Sequence, residues 1–168
     1  PKGRGHLTHN NREFISKNVV SERTSWNRIY QMESLEKAYE NCFGEALRKY
    51  NAAQKRKDRQ KENYRKEIEQ SGNGEKPFYE NIVQIGKKTD TPVVGEKGEL
   101  TEDAKAVIKV LEQYATTFQE RNPNLYLFNC VLHLDEATPH LHIDYIPVAH
   151  GYKKGMETRN SLTKALQE

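Results

Sequence analysis

The stretch LYLFNCVLHLDEATPHLHIDYIPV, residues 125–148, decides the fold. Its two ends, 125–133 and 140–148, are rich in strand-forming residues. Between them the six residues LDEATP make a hairpin-sized loop. Side chains two apart on a strand share a face. His140, His142 and Asp144 therefore point one way, and Leu141, Ile143 and Tyr145 point the other, into a helix-packed core. His133 closes the first run, so a short hairpin brings it beside the other two histidines. Three neutral imidazoles on one face suit a divalent metal and leave coordination positions open. Asp135 and Glu136 sit in the loop above, as a general base or as partners of the metal ligands. The plainer alternative is a set of polar residues on the wet face of a sheet. The spacing is not that of the helical zinc-protease motif.

Outward from the hairpin, Thr101 caps a helix whose apolar side carries Ala104, Val107, Ile108, Leu111, Tyr114, Ala115 and Phe118. Ile82, Val83 and Ile85 mark a strand before it. Between Ser34 and Gln70 there is no proline and one glycine, Gly44. An apolar stripe runs from Leu35 to Tyr50, and charges then take over, so a long charged helix is expected to reach Gln70. Ser21 is a further possible cap, and the first fourteen residues read as a polar arm. The order of elements predicts an α+β fold, an antiparallel sheet with helices packed on one face, in a single domain over residues 1–168.

Composition narrows the function classes. Charged residues make up 30% and apolar ones 35%, which is polar for a globular chain, while the net charge of +3 alone names no partner. Basic residues dominate from Arg48 to Lys66, either a solvated helix face or a phosphate-contacting surface. Cys42 and Cys130 have no metal or redox spacing, and a reduced, cytoplasmic chain is the simple expectation. No apolar run is long enough to span a membrane. The final residues NSLTKALQE read as the middle of a helix, and the chain is expected to be an N-terminal fragment of a longer protein.

The segment from His133 to His142 resembles the H-x-D-E-x-x-P-H-x-H motif of the Mob/Pre (MobV) plasmid mobilisation relaxases, in the HUH endonuclease superfamily. All six fixed positions are filled. THNNREF, with His9, Asn10 and Arg12, resembles the H-N-x-R element near the start of those proteins, and Arg23 and Asn27 in SERTSWN resemble the R-x-x-x-N that follows it. The resemblance implies an antiparallel sheet with its metal histidines on two adjacent central strands. It implies nicking and rejoining of one DNA strand at a transfer origin through a covalent 5′-phosphate intermediate. The implied partners are single-stranded DNA and origin hairpin DNA, with self-association through a C-terminal region beyond this segment. By position, His133, His140 and His142 would bind Mn²⁺ or Mg²⁺. Imidazole ligands favour Mn²⁺. Glu136 matches the family's acidic base and Asp135 a supporting carboxylate.

His9 matches the histidine that serves some of these relaxases as nucleophile, with His6, Tyr30 and Tyr39 as rivals. Asn10, Arg12, Arg23 and Asn27 would contact DNA, as would Lys153, Lys154 and Arg159 in the tail. Family members commonly place a strand before the first motif, and the eight residues before His9 make a poor one. Alternatives from other classes are a replication-initiation nuclease or metallophosphoesterase, and a non-catalytic DNA-binding protein with a structural metal.

Overall fold

The computed structural model describes residues 6–167, so residues 1–5 of the expected arm lie outside it. Its centre is the predicted hairpin. Strand β3 (Leu125–His133) and strand β4 (His140–Ala149) pair antiparallel, with His133 opposite His140. Strand β1 (Arg28–Met32) pairs with β3 and β2 (Tyr79–Gln84) with β4, giving the order β1-β3-β4-β2 with all neighbours antiparallel. The short β5 (Arg159–Asn160) adds to the far end of β4. The two histidine strands are thus central. Strand β1 has no counterpart in the sequence reading, because RIYQM is short and its pairing is interrupted by an irregularity between Ile29 and Gln31.

A register shift between Leu127 and Asn129 sets the direction of the first histidine. Leu125 and Leu127 face one core, and strict alternation would send Asn129, Val131 and His133 to that same side. The extra residue, Phe128, reverses the parity. Cys130 and Leu132 join the core instead, and Asn129 pairs opposite Asp144 on the histidine face.

Helices α4 (Glu102–Thr116) and α5 (Phe118–Arg121) cover the non-histidine face. Thr101 caps α4 by accepting from Ala104 N at 3.0 Å. Val107, Ile108, Leu111, Ala115 and Phe118 pack there on Cys130, Leu132, Leu141, Ile143 and Tyr145. A second core lies at the distal end of the opposite face. There α2 (Leu35–Ala52) and α3 (Tyr64–Gln70) place Tyr39, Phe43, Tyr64 and Ile68 against Phe128, Ile146 and Val148. The short helices α1 (Leu7–Asn10) and α6 (Leu162–Ala165) flank the sheet.

The expected long charged helix is divided. Helix α2 ends at Ala52, a short 3-10 turn spans Lys57–Arg59, and α3 starts at Tyr64 under an Asn63 cap. Asn51 closes the turn by accepting from Lys61 N at 2.9 Å and donating to Lys61 O at 2.8 Å. A continuous helix would have carried Tyr64 and Ile68 into solvent. Folding back buries both, with the Tyr64 and Phe43 rings 5.1 Å apart.

Candidate metal centre

At the open end of the histidine face, His133 terminates β3 and His140 and His142 begin β4. Their ring centroids lie 5.2, 4.6 and 5.1 Å apart, for the pairs 133–140, 133–142 and 140–142. None is on a wet face: His133 is 0% exposed, His140 8% and His142 4%. Burial pushes the His133 pKa down to about 3 and lowers that of His140, so both imidazoles are neutral and carry a lone pair near pH 7.

One nitrogen of each ring is engaged. His133 Nε2 meets the Asn10 carbonyl at 2.8 Å, His140 Nδ1 the Thr138 carbonyl at 2.9 Å, and His142 Nδ1 the Glu80 carboxylate at 2.6 Å. Each partner is an acceptor, so each engaged nitrogen carries the proton. The opposite nitrogens are left as lone-pair donors. His133 Nδ1 and His142 Nε2 are buried without a hydrogen-bond partner. Outer acceptors that fix the tautomer are the usual support of metal-ligating histidines. The residues present therefore fit a divalent ion.

The potential ligand atoms gather as two overlapping triads, His9 with His133 and His142, and His133 with Glu136 and His140. Each triad holds two of the three strand histidines, completed by His9 or Glu136, and neither holds all three. An open cavity of about 330 Å³ in front is lined by His9, Ile82, Gln84, Glu136, Ala137, Thr138, His140 and His142.

His9 arrives on α1, its ring 5.9 Å from that of His133 and 6.0 Å from that of His142. Its Nε2 is 3.4 Å from Glu136 Oε1 and 3.2 Å from Arg12 Nη1. Burial and the Arg12 charge lower its pKa. The two tyrosine rivals lie elsewhere. Tyr30 packs on the helical core of the other face, and Tyr39 is buried in the distal core, donating to the Pro77 carbonyl. His6 is exposed, and its carbonyl accepts from the His9 and Asn10 amides.

Several residues expected on DNA hold the loop instead. Arg12 clamps Asp135 at 2.8 and 2.5 Å and reaches Glu136 at 3.0 Å, with 7% of its side chain exposed. It is also the described non-glycine residue with positive φ, +56°, a conformation this clamp maintains. Asn27 donates to Asp135 at 2.7 Å and accepts from Leu134 N at 2.7 Å. Asn10 is 1% exposed and donates to Glu80 at 2.8 Å and Asp144 at 3.0 Å. In this structure all three have their hydrogen-bonding groups engaged with other residues of the protein. Arg23 donates to the Glu136 carbonyl at 3.2 Å, and its Nη1 has no partner.

Asp135 stands as a supporting carboxylate: it is 0% exposed and its oxygens accept from Arg12, Thr24 and Asn27. Burial opposes its charge, but the bonds from Arg12 and Asn27 outweigh burial and hold its carboxyl at about 2.

Lys153 and Lys154 are exposed, and Arg159 stacks 4.2 Å over Tyr152. This tail pairs beside Ala149, at the opposite end of β4 from His140, roughly 30 Å away along the strand.

A family model for plasmid recombination enzymes, Mob_Pre, matches residues 6–168. This chain belongs to the Mob_Pre family. Two solved structures resembling it are both of the MobM relaxase domain (MOBV; Mob_Pre), Mn-bound and in complex with plasmid pMV158 oriT DNA. The one at pH 5.5 is 20% identical, with a TM-score of 0.49 over 94% of this chain. The one at pH 4.6 is 18% identical, with a TM-score of 0.44 over 94% of this chain. This Mob_Pre chain spans 66% of the length of those domains. No curated protein sequence matches it. No helix among the described residues is long and apolar enough to cross a membrane.

Sequence reasoning missed Glu80 and Thr138 as supports of the Mob_Pre centre. Thr138 sat in view inside the loop, but its carbonyl carries no side-chain signal. Glu80 becomes legible only once Tyr79–Gln84 is registered against β4, which puts it opposite Asp144.

Proposed function

We propose that residues 1–168 form a single relaxase domain. It nicks one strand of DNA at a transfer origin, keeps the 5′ phosphate on His9, and later rejoins the strand. The observation that carries this reading is the set of three buried histidines whose outer nitrogens are tied to carbonyl and carboxylate acceptors, beside a fourth, less buried histidine. A divalent ion held by His133, His140 and His142 would neutralise charge building on the scissile phosphate, and the imidazole donors favour Mn²⁺ over Mg²⁺.

The chain's own groups supply the rest. His9 is neutral at pH 7, so its lone-pair nitrogen attacks phosphorus as the bond to the 3′ oxygen breaks. A phosphoramidate forms, and the departing 3′ oxygen takes the ring proton by way of Glu136. Glu136, 3.4 Å from His9, accepts the ring proton that the attack releases. Arg12 orients both by donating to the His9 carbonyl at 3.0 Å and to Asp135 and Glu136. The partners proposed are single-stranded DNA at the nick and origin hairpin DNA, with Arg23 near the centre and Lys153 and Lys154 at the distal end as phosphate contacts. A soluble, cytoplasmic setting suits such a substrate.

Intact-protein mass spectrometry after incubation with Mn²⁺ and single-stranded origin DNA tests the reading. The expected result is a DNA adduct on the wild type and none on His9→Ala. An adduct on both would move the nucleophile away from His9. Cleaved DNA without an adduct would make the protein a hydrolase, and a salt-sensitive DNA shift without cleavage under any metal would make it a binding protein.

A further inference from the structure

One carboxylate connects the two halves of the proposed centre. Glu80 lies on the edge strand β2, opposite Asp144 on β4. A single oxygen, Oε1, accepts from His142 Nδ1 at 2.6 Å and from Asn10 Nδ2 at 2.8 Å. The first bond leaves the proton on Nδ1 and the lone pair on Nε2, which is buried without a hydrogen-bond partner. The second fixes the residue that follows His9. Asn10 is held at three points. Its amide nitrogen also donates to Asp144 Oδ2 at 3.0 Å, and its carbonyl meets His133 Nε2 at 2.8 Å. Asn129 donates to the same Asp144 oxygen at 2.9 Å from β3. The described part of α1 is one turn long, and Asn10 is the residue in it that is buried. A helix this short has little stability of its own.

We infer that Glu80 is a positioning residue that ties the metal-binding nitrogen of His142 to the placement of His9 through Asn10. The role rests on the relaxase reading above, because it presupposes an ion at the histidines. It makes two separable claims. Removing the carboxylate frees the His142 ring to turn or change tautomer, which weakens metal binding. It also loosens α1, which slows attack beyond what the weaker metal binding explains. Removing the outer acceptor of a metal-bound histidine typically costs roughly ten- to a hundredfold in affinity.

The experiment compares Mn²⁺ affinity, from the free-ion electron paramagnetic resonance signal, in wild type, Glu80→Ala, Glu80→Gln and His140→Ala. Adduct formation at saturating Mn²⁺ is measured in parallel, and nitrogen NMR of the metal-free protein reads the His142 tautomer. Expected are an affinity loss of at least tenfold in E80A, partial recovery in E80Q, whose amide oxygen still accepts both bonds, and a larger loss in H140A. At saturating Mn²⁺, E80A should still form adduct more slowly than wild type; adduct formation at the wild-type rate would overturn the link to His9. E80A within twofold of wild type in affinity, while H140A loses it, would overturn the role of Glu80 and leave the metal site standing. Unchanged affinity in H140A as well would overturn the metal reading and this inference together. If E80A does not fold, the His142 tautomer in the metal-free wild type decides: Nδ1–H supports the lock, and Nε2–H overturns it.

Discussion

Asp135 supports its neighbour through Arg12, the residue that also holds Glu136. Lying between two metal-ligand candidates, it has the position of a catalytic carboxylate, yet both its oxygens are spent on Arg12, Thr24 and Asn27. The Asp135→Asn variant would leave the Arg12 guanidinium, 7% exposed, facing a neutral amide. Breaking a buried pair from one side costs about 3–5 kcal/mol. Urea denaturation of D135N should show a loss of that order, and adduct formation should fall because Arg12 also holds Glu136. A variant within about 1 kcal/mol of wild type would show that the clamp is weaker than its geometry. Asn27 was legible as important from its resemblance to a family position, but not as a loop anchor. Its two partners are more than a hundred positions away in sequence, and no local pattern announces such a bond.

At the scale of the element, the irregularity at Phe128 matters most. It places His133 on the face of His140 and His142 although its strand begins with Leu125 and Leu127 on the other side. Two perturbations separate the side chain from the extra residue. Phe128→Ala opens a cavity in the distal core, where Phe128 is fully buried against Phe78 at 5.5 Å, and should cost about 3–5 kcal/mol. The strand count is unchanged, so the folded fraction should bind Mn²⁺ as wild type does. Deleting residue 128 removes the extra position and turns His133 toward α4. That variant should lose Mn²⁺ binding even in whatever fraction folds, measured by metal titration alongside circular dichroism. A deletion that keeps full affinity would mean the strand re-forms its bulge elsewhere.

Across the whole molecule, the histidines make the domain acid-labile in a stated direction. His133 has its pKa pushed down to about 3 by burial, against 6.5 for an ordinary imidazole, and those of His9 and His140 are lowered too. Between pH 6.5 and about 3 the unfolded chain therefore binds protons that the folded chain refuses, and stability falls as pH falls through that window. Asp144 works the other way. Burial raises its carboxyl to about 6 from 3.8, so between those values the folded chain holds the extra proton. Three histidines outweigh one carboxyl. The metal-free protein should melt at progressively lower temperature from pH 7 to 4.5, and Asp144→Asn, which deletes the opposing group, should steepen that fall. A flat profile would show that the histidines protonate freely and are less buried than their surroundings indicate.

By itself the sequence determined the hairpin, the face shared by His140, His142 and Asp144, the helix capped at Thr101 and the kinship carried by the histidine motif. These are local: period-two alternation, a capping side chain and a run of ten residues. Only the tertiary structure decided that the charged stretch after Ala52 folds back on Phe43, that the extra residue at Phe128 reverses the direction of His133, and that Glu80 and the Asn10 carbonyl meet the His142 and His133 rings. Each depends on the register between segments distant in the chain. A shift of one residue there exchanges core for site, and no propensity along the chain records which register wins.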